Sequence, residues 1–197
     1  MSRRLPRSFY NRPTLEVARD LLGKHIVYNS PIGKLEAALV EVEAYIGEDD
    51  PACHAAPGPT ARNLVMYGKS GFSYVYFIYG MYHCFNIVTE RKGFPAAVLV
   101  RAAEPIEGLE LMKRNSPHGG ITTLLSGPGK FCRSFGLTTR QSGLDLTGGT
   151  IYLCEASGPI TGVVNTRRVG INKGIELPYR FFLKNSKAVS GPQRLKR

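Results

Sequence analysis

Val-Glu-Val-Glu-Ala-Tyr at residues 40–45 and Phe-Ser-Tyr-Val-Tyr-Phe-Ile-Tyr-Gly-Met-Tyr-His-Cys-Phe-Asn-Ile-Val at residues 72–88 bracket the part of the chain around which the rest is built. The first closes an apolar, strand-like run with two carboxylates and a tyrosine. The second reads as two β-rich runs, residues 72–79 and 82–89, on either side of Gly80-Met81, which predicts a tight hairpin. It holds four of the ten tyrosines within nine residues. Aromatic rings beside a candidate acid/base group suit a pocket for a flat, π-rich ligand. At seventeen residues the stretch is shorter than the ~20 a spanning helix needs, and it contains Gly80, His83 and Asn86, so it is read as a core hairpin and not a membrane span.

Working outward, residues 25–28 and 35–43 are strands joined by a Pro-Ile-Gly-Lys turn and predict an antiparallel hairpin. Before them lie a basic leader, residues 3–12, and a helix from Pro13-Thr14 through Leu22. That helix carries Leu15, Ala18, Leu21 and Leu22 on one face and stops at Gly23. Residues 47–70, rich in Asp, Pro, Gly, Ala and Asn, form a long loop, a kind more often functional than idle. After the 72–89 hairpin come an apolar strand at residues 97–102 and a helix from Pro105 and Ile106 through Met112, with Leu109 and Leu111 inward. A second helix spans Pro128 to Phe135, with Ser126 as its cap and Pro128 near its first position. Residues 150–154, 162–171 and 178–183 are strand-like again, and residues 184–197 are a polar basic tail. The sum is one α+β domain, residues 1–197, with a mostly antiparallel curved sheet, surrounding helices and a protruding hairpin. The sequence leaves the order of the basic ends, residues 1–12 and 184–197, undecided.

A chain of 197 residues, 43% hydrophobic and 21% charged, is long enough to bury a sizeable core. Its 26 Lys and Arg against 15 Asp and Glu give a net charge of +11, spread along the chain, as on a folded surface that meets a polyanion. Cys53, Cys84, Cys132 and Cys154 lack Cys-x-x-Cys spacing and read as free thiols in a reducing compartment. The pairs Cys53-His54 and His83-Cys84 could be imagined as metal ligands, yet neighbours on a strand point to opposite faces, so no metal site is expected. No apolar stretch follows the basic start, so no signal peptide is expected.

Glu41 and Glu43 fall on one face of a strand, because side chains repeat every second residue. The residues alone do not choose between them, and a carboxylate at a strand end is commonly solvated or salt-bridged. Ser-Gly-Pro-Gly-Lys, residues 126–130, feeds a helix N-terminus that could receive a phosphate, with Lys130 adding charge. It lacks the spacing of a triphosphate loop, and docking DNA backbone and packing the helix start stand about even for it.

Residues 40–47, His54, residues 76–82 with Asn86, Leu-Val-Arg-Ala-Ala-Glu-Pro at 99–105, residues 126–130 and Arg168-Val169-Gly170 together resemble the alkyladenine (3-methyladenine) DNA glycosylase family. They occur in the family's order and spacing from Phe9-Tyr10 to Phe181-Phe182. The resemblance implies a monofunctional enzyme of base-excision repair, without cofactor. It would act as a monomer on duplex DNA inside the cell and hydrolyse the N-glycosidic bond of 3-methyladenine, 7-methylguanine, hypoxanthine or ethenoadenine. That bond breaks through an oxocarbenium-like state, which needs a water, a carboxylate to orient and deprotonate it, and negative charge nearby.

The resemblance places the base on Glu43 and leaves Glu41 a structural role, paired with an Arg. It makes Tyr79, at the hairpin tip, the wedge that fills the gap left by the flipped nucleotide, supported by Met81; otherwise Tyr79 is a core ring. Tyr45, His54 and Tyr76 match the base pocket, where aromatic faces favour electron-poor purines. Without the resemblance, His54 is an ordinary loop or core histidine. Asn86 matches the residue that crowds the guanine 2-amino group, and Val169 matches an apolar wall or is plain core. Arg101 matches a contact to DNA backbone beside the flipped nucleotide, and could equally pair with Glu104.

The proline-rich loop at residues 49–62 and the short connection at residues 117–120 depart from the family pattern, which leaves the lesion range open. No lysine falls in a matching pocket position, so strand cleavage is not expected. Two rivals stand beside the glycosylase: a catalytically silent lesion-binding module, and an RNA-binding domain of the same fold.

Overall fold

The computed structural model describes residues 3–117, 120–156 and 160–191. Its framework is the fourteen-residue strand β2 (Gly33–Ile46), which pairs antiparallel with β1 (His25–Ser30) and β8 (Arg180–Leu183) and, on its other side, with β5 (Ala96–Glu107). Beyond β5 come β4 (Tyr82–Val88) and β3 (Ser73–Ile78), the expected hairpin. β6 (Ile151–Cys154) lies outside β1, and β7 (Val163–Thr166) pairs with β8. All these pairings are antiparallel, which matches the predicted α+β class with its curled sheet.

The alternation along β2 carries an interruption that decides where the carboxylates point. Leu35, Ala37 and Leu39 belong to the main core, but so do Val42 and Ala44. The pairing with β5 shifts register on both sides of Glu41. Such a bulge inserts an extra residue, and a one-residue slip exchanges the two faces of a strand. Odd positions face the main core before it and even positions after it, so Glu41 and Glu43 fall on the opposite face. β5 does the same, with Val98 and Val100 in the main core followed by Ala103.

The main-core face is covered by helix α2 (Thr14–Leu21) through Val17, Ala18 and Leu21, and by α4 (Pro128–Phe135) through Phe131, Cys132 and Phe135. α4 has Pro128 in its first turn, as the sequence predicts, and closes on the left-handed Gly136. The other face carries a smaller cluster: Ala55, Met66, Tyr74, Val88 and Ala97, flanked by Tyr45 and Tyr76. The basic leader folds onto the sheet edge: Leu5 N donates to Leu153 O, and the short helix α1 (Arg7–Tyr10) buries Tyr10.

Several expectations are corrected. Pro105 and Ile106 do not start a helix: β5 runs on to Glu107, with Pro105 opposite Ala37 beside a register shift, a place where a missing N–H is tolerated. Helix α3 (Leu109–Asn115) begins only after Gly108. Ser126 does not cap α4; Gly127 holds that position without a side-chain cap, and Ser126 bridges to Ala102. Leu15 lies on the exposed side of α2, where Thr14 and Val17 take the inward positions. Within residues 47–70 a 3-10 turn forms at Leu64–Tyr67, and β7 covers only part of residues 162–171. The tail is not uniformly surface-like, since Ala188, Val189 and Ser190 are buried. Residues 192–197 and part of the 117–120 connection lie outside the described residues.

Gly108 has φ +83°, and a Cβ there would meet Lys34 O at 2.4 Å and Leu35 Cα at 3.2 Å. Gly143 has φ +79° with nothing within 4 Å. Urea unfolding of Gly143→Ala should show a loss of about 1–2 kcal/mol from backbone conformation alone, and of Gly108→Ala a larger loss, about 3 kcal/mol or more, from the added collision with backbone. Equal losses would mean that the β5–α3 corner can open freely.

Candidate functional site

On the face bearing the carboxylates, a cavity of about 280 Å³ opens between the end of β2, the β3–β4 hairpin, β5, the start of α4 and the loops at residues 52–54 and 169–171. That is enough for one flat heterocycle, at the small end of ligand pockets. Tyr45, His54, Tyr76, Asn86, Arg101 and Val169 all line it, and Tyr79 stands at its edge. Six positions spread over 125 residues of sequence are thus brought to one cavity, with Tyr45, Arg101 and Val169 together on one wall.

Glu43 lies directly behind that wall, with no exposed surface. One carboxylate oxygen, Oε1, accepts the Val169 N–H at 2.7 Å. The other, Oε2, accepts the Tyr45 hydroxyl at 2.9 Å and Arg101 Nη1 at 3.2 Å. A carboxylate offers about four acceptor positions, so one remains. Arg101 Nη1 also donates to the Val169 carbonyl at 3.3 Å. Tyr45, Arg101 and Val169 therefore form the surface in front of Glu43 and fix its plane.

Glu41, equally buried, is the charge partner expected for an arginine. Its Oε1 accepts Arg101 Nε at 3.1 Å and Arg180 Nε at 2.7 Å. Two carboxylates and two guanidiniums thus share one dry compartment, where unpaired charge would be very costly. Arg101 is not paired with Glu104, which accepts from Ser186 instead. Among the described residues its guanidinium is committed to Glu41, Glu43, Val169 and Ser190, four of its five N–H groups. The sequence points to a phosphate contact; the structure adds that most of this side chain serves the carboxylates.

The remaining walls are aromatic and neutral. His54 Nδ1 lies 2.8 Å from the Tyr74 hydroxyl, and its ring meets Tyr76 edge-on at 4.4 Å. Burial, and then the Arg62 charge, hold the His54 imidazole below its ordinary value. Burial raises the Tyr45 and Tyr76 phenols well above theirs, the Glu43 charge adding to the effect at Tyr45. Asn86 donates from Nδ2 to Tyr74 O at 3.0 Å and to Cys84 O at 3.4 Å, so its amide cannot turn away from the cavity.

The proline-rich loop is an ordered part of the wall. Asp50 accepts from Ile46 N and Ala52 N and takes Arg168 Nη1 and Nη2 at 2.6 and 2.7 Å. Arg168 in turn packs on the Tyr45 ring at 4.7 Å. Asn63 ties the loop's other end, donating to His54 O at 2.7 Å and Gly58 O at 2.9 Å. Asp50 escapes a reading by residue type, since it acts through backbone groups of its own loop and through an arginine 118 residues away; the signal present was the loop's length and its Asp/Asn content.

The hairpin tip turns at Tyr79 (φ +54°) and Gly80 (φ +67°), one residue earlier than Gly80-Met81. A left-handed tyrosine is uncommon. Tyr79 is 74% exposed and Met81 59%, so neither is a core residue. Lys130 is exposed on the first turn of α4, near Pro128 in the cavity wall. Gly129 lets this turn approach the hairpin, since a Cβ would sit 2.7 Å from the Tyr82 ring. All four cysteines are free and buried. Among the described residues, no three His, Cys, Asp or Glu side chains come together as a metal site, and no helix is long and apolar enough to cross a membrane.

Residues 8–187 match the model of a family described as methylpurine-DNA glycosylase. Relatives include proteins provisionally named 3-methyladenine DNA glycosylases. One from Methanocella arvoryzae is 50% identical over 94% of this chain and 95% of its own. One from Carboxydothermus hydrogenoformans is 47% identical over 94% and 98%. A third, from Wolbachia of Brugia malayi, is 51% identical over 90% and 95%.

His54 should titrate by NMR with a midpoint below the ordinary value of about 6.5. Its neutral ring contributes stability above that value, and the contribution is lost as the pH falls through the depressed midpoint. Arg62→Gln removes a like charge and should move the midpoint upward. A midpoint unmoved by this substitution would mean that burial alone sets it.

Proposed function

This chain belongs to the methylpurine-DNA glycosylase family and is therefore a DNA-repair hydrolase of N-glycosyl bonds; from that premise we propose that its cavity receives a damaged purine flipped out of duplex DNA, with Glu43 as the base that activates water. The observation that carries this reading is the arrangement at Glu43. A fully buried carboxylate is held in one plane by Tyr45, Arg101 and Val169 and keeps one acceptor position, directly behind a cavity sized for one base.

Stacking between neutral aromatic walls favours a flat, electron-poor ring, as in 3-methyladenine, 7-methylguanine, hypoxanthine or ethenoadenine. Normal guanine would be opposed by Asn86, whose amide lines the cavity and would crowd an exocyclic 2-amino group. As the glycosidic bond lengthens, positive charge grows on the sugar, and Glu43 both offsets it and accepts the proton of the attacking water. Water oxygen joins the anomeric carbon, the base departs with the bonding electrons, and an abasic site remains. No described residue lining the cavity is a lysine, so no amine is placed to form a Schiff base, which supports a monofunctional enzyme.

Extruding a base costs a few kcal/mol, and Tyr79 is placed to offset this by occupying the vacated stack, with Met81 beside it. The remaining N–H of Arg101, with Lys130 at the α4 terminus, would meet phosphate next to the flipped nucleotide. The +11 net charge supports duplex DNA as the partner.

Base release should be measured on a duplex containing one hypoxanthine or one ethenoadenine, and on alkylated DNA, with chelator present. Wild type should release base, and Glu43→Gln should slow the single-turnover rate by at least about a hundredfold while still binding the lesion. Comparable rates would remove Glu43 from the role of base. Tyr79→Ala should bind an abasic-site analogue about tenfold more weakly with its melting temperature unchanged; undiminished affinity would remove the wedge.

A further inference from the structure

The basic tail sends one residue into the catalytic compartment. Ser186 anchors this segment by donating to Glu104 at 2.6 Å and accepting from Ala188 N. Ala188 then packs with Val40 and Ala102, and Ser190 is buried against Glu41. Ser190 Oγ accepts Arg101 Nη2 at 3.2 Å and donates to Glu41 Oε1 at 3.0 Å. Its backbone N–H donates to Glu41 Oε2, and its carbonyl accepts Arg180 Nη2 at 3.2 Å.

The hydroxyl, N–H and carbonyl of this one residue thus reach three charged members of the cluster, Arg101, Glu41 and Arg180, between them. Glu41 is saturated on one side, and Arg101 is gripped at Nε by Glu41 and at Nη2 by Ser190. Those two contacts set the rotation of the guanidinium plane, and with it the direction in which Nη1 points. Nη1 is the atom that meets Glu43 Oε2 and the Val169 carbonyl. A planar fork held at two corners has its third corner fixed.

We propose that Ser190 is a positioning residue for the glycosylase reaction, and that its hydroxyl orients Arg101 and through it the Glu43 carboxylate. This deepens the reading of Glu43 as the base and rests on it. Ser190 touches neither substrate nor the reacting atoms, so its effect should appear in the chemical step and not in lesion binding. Small misplacements of a catalytic group are known to carry large rate costs.

The test compares wild type, Ser190→Ala, Ser190→Thr and Glu43→Gln on one hypoxanthine duplex, measuring single-turnover base release, duplex dissociation constant and melting temperature. Ser190→Ala should release base about tenfold more slowly with an unchanged dissociation constant, and Ser190→Thr, which keeps a hydroxyl, should recover most of the rate. If Ser190→Ala releases base at the wild-type rate while Glu43→Gln does not, the positioning role is wrong and the Glu43 reading stands. If the Ser190→Ala loss persists in Ser190→Thr, or follows weakened binding, the hydroxyl is not what matters and the proposal falls. If wild type itself releases no base, the reading of the site fails and this proposal with it.

Discussion

A buried charge must find its counter-charge, and this fold is shaped around meeting that demand four times in one compartment. Glu41, Glu43, Arg101 and Arg180 are all buried between sheet and loops, far from the solvation that an isolated ion needs. The bulge in β2 turns the two carboxylates away from the main core. β5 brings Arg101 to them, β8 brings Arg180, and the segment after β8 brings Ser190. Replacing such a cluster with well-packed apolar side chains is often neutral or stabilising in proteins, so its presence here points to chemistry rather than to stability.

The buried charges and the cavity's aromatic walls are carried by different parts of the molecule. Strands β2 and β5 hold the carboxylates and the Arg101 guanidinium that pairs with both of them. The hairpin and the loop at residues 47–63 supply the aromatic walls and the exposed tip. Strands give the buried charges fixed positions, while loops tied down by Asp50 and Asn63 set the cavity's outline. The two parts meet at Val169, whose side chain faces the cavity and whose backbone holds both Glu43 and Arg101.

Much of this was legible in the sequence where the signal was local. The hairpin announced itself through its tyrosines and Gly80, and α4 through Pro128. The aromatic lining needed more: Tyr45, His54 and Tyr76 are drawn together only by the resemblance, since a histidine in a loop says little by itself. What stayed hidden was long-range. Nothing near Glu41 or Glu43 reveals a bulge, because a bulge is a property of two strands. Nothing in a serine near a basic C-terminal end reveals a partner 149 residues away. Pro105 was misleading for the same reason, as its tolerance depends on the strand opposite.

The Arg168–Asp50 pair has a consequence for how the cavity can respond to its contents. It joins the loop bearing Ala52 and His54 to the loop bearing Val169 and Ile171, and Arg168 also backs the Tyr45 ring. Two segments that line the opening are therefore fastened by one bidentate clasp, itself shut away from water. Neither segment can retreat alone to admit a bulkier guest. The aperture behaves as a caliper locked at one setting, and a shift in the range of accepted rings would require changing both jaws together.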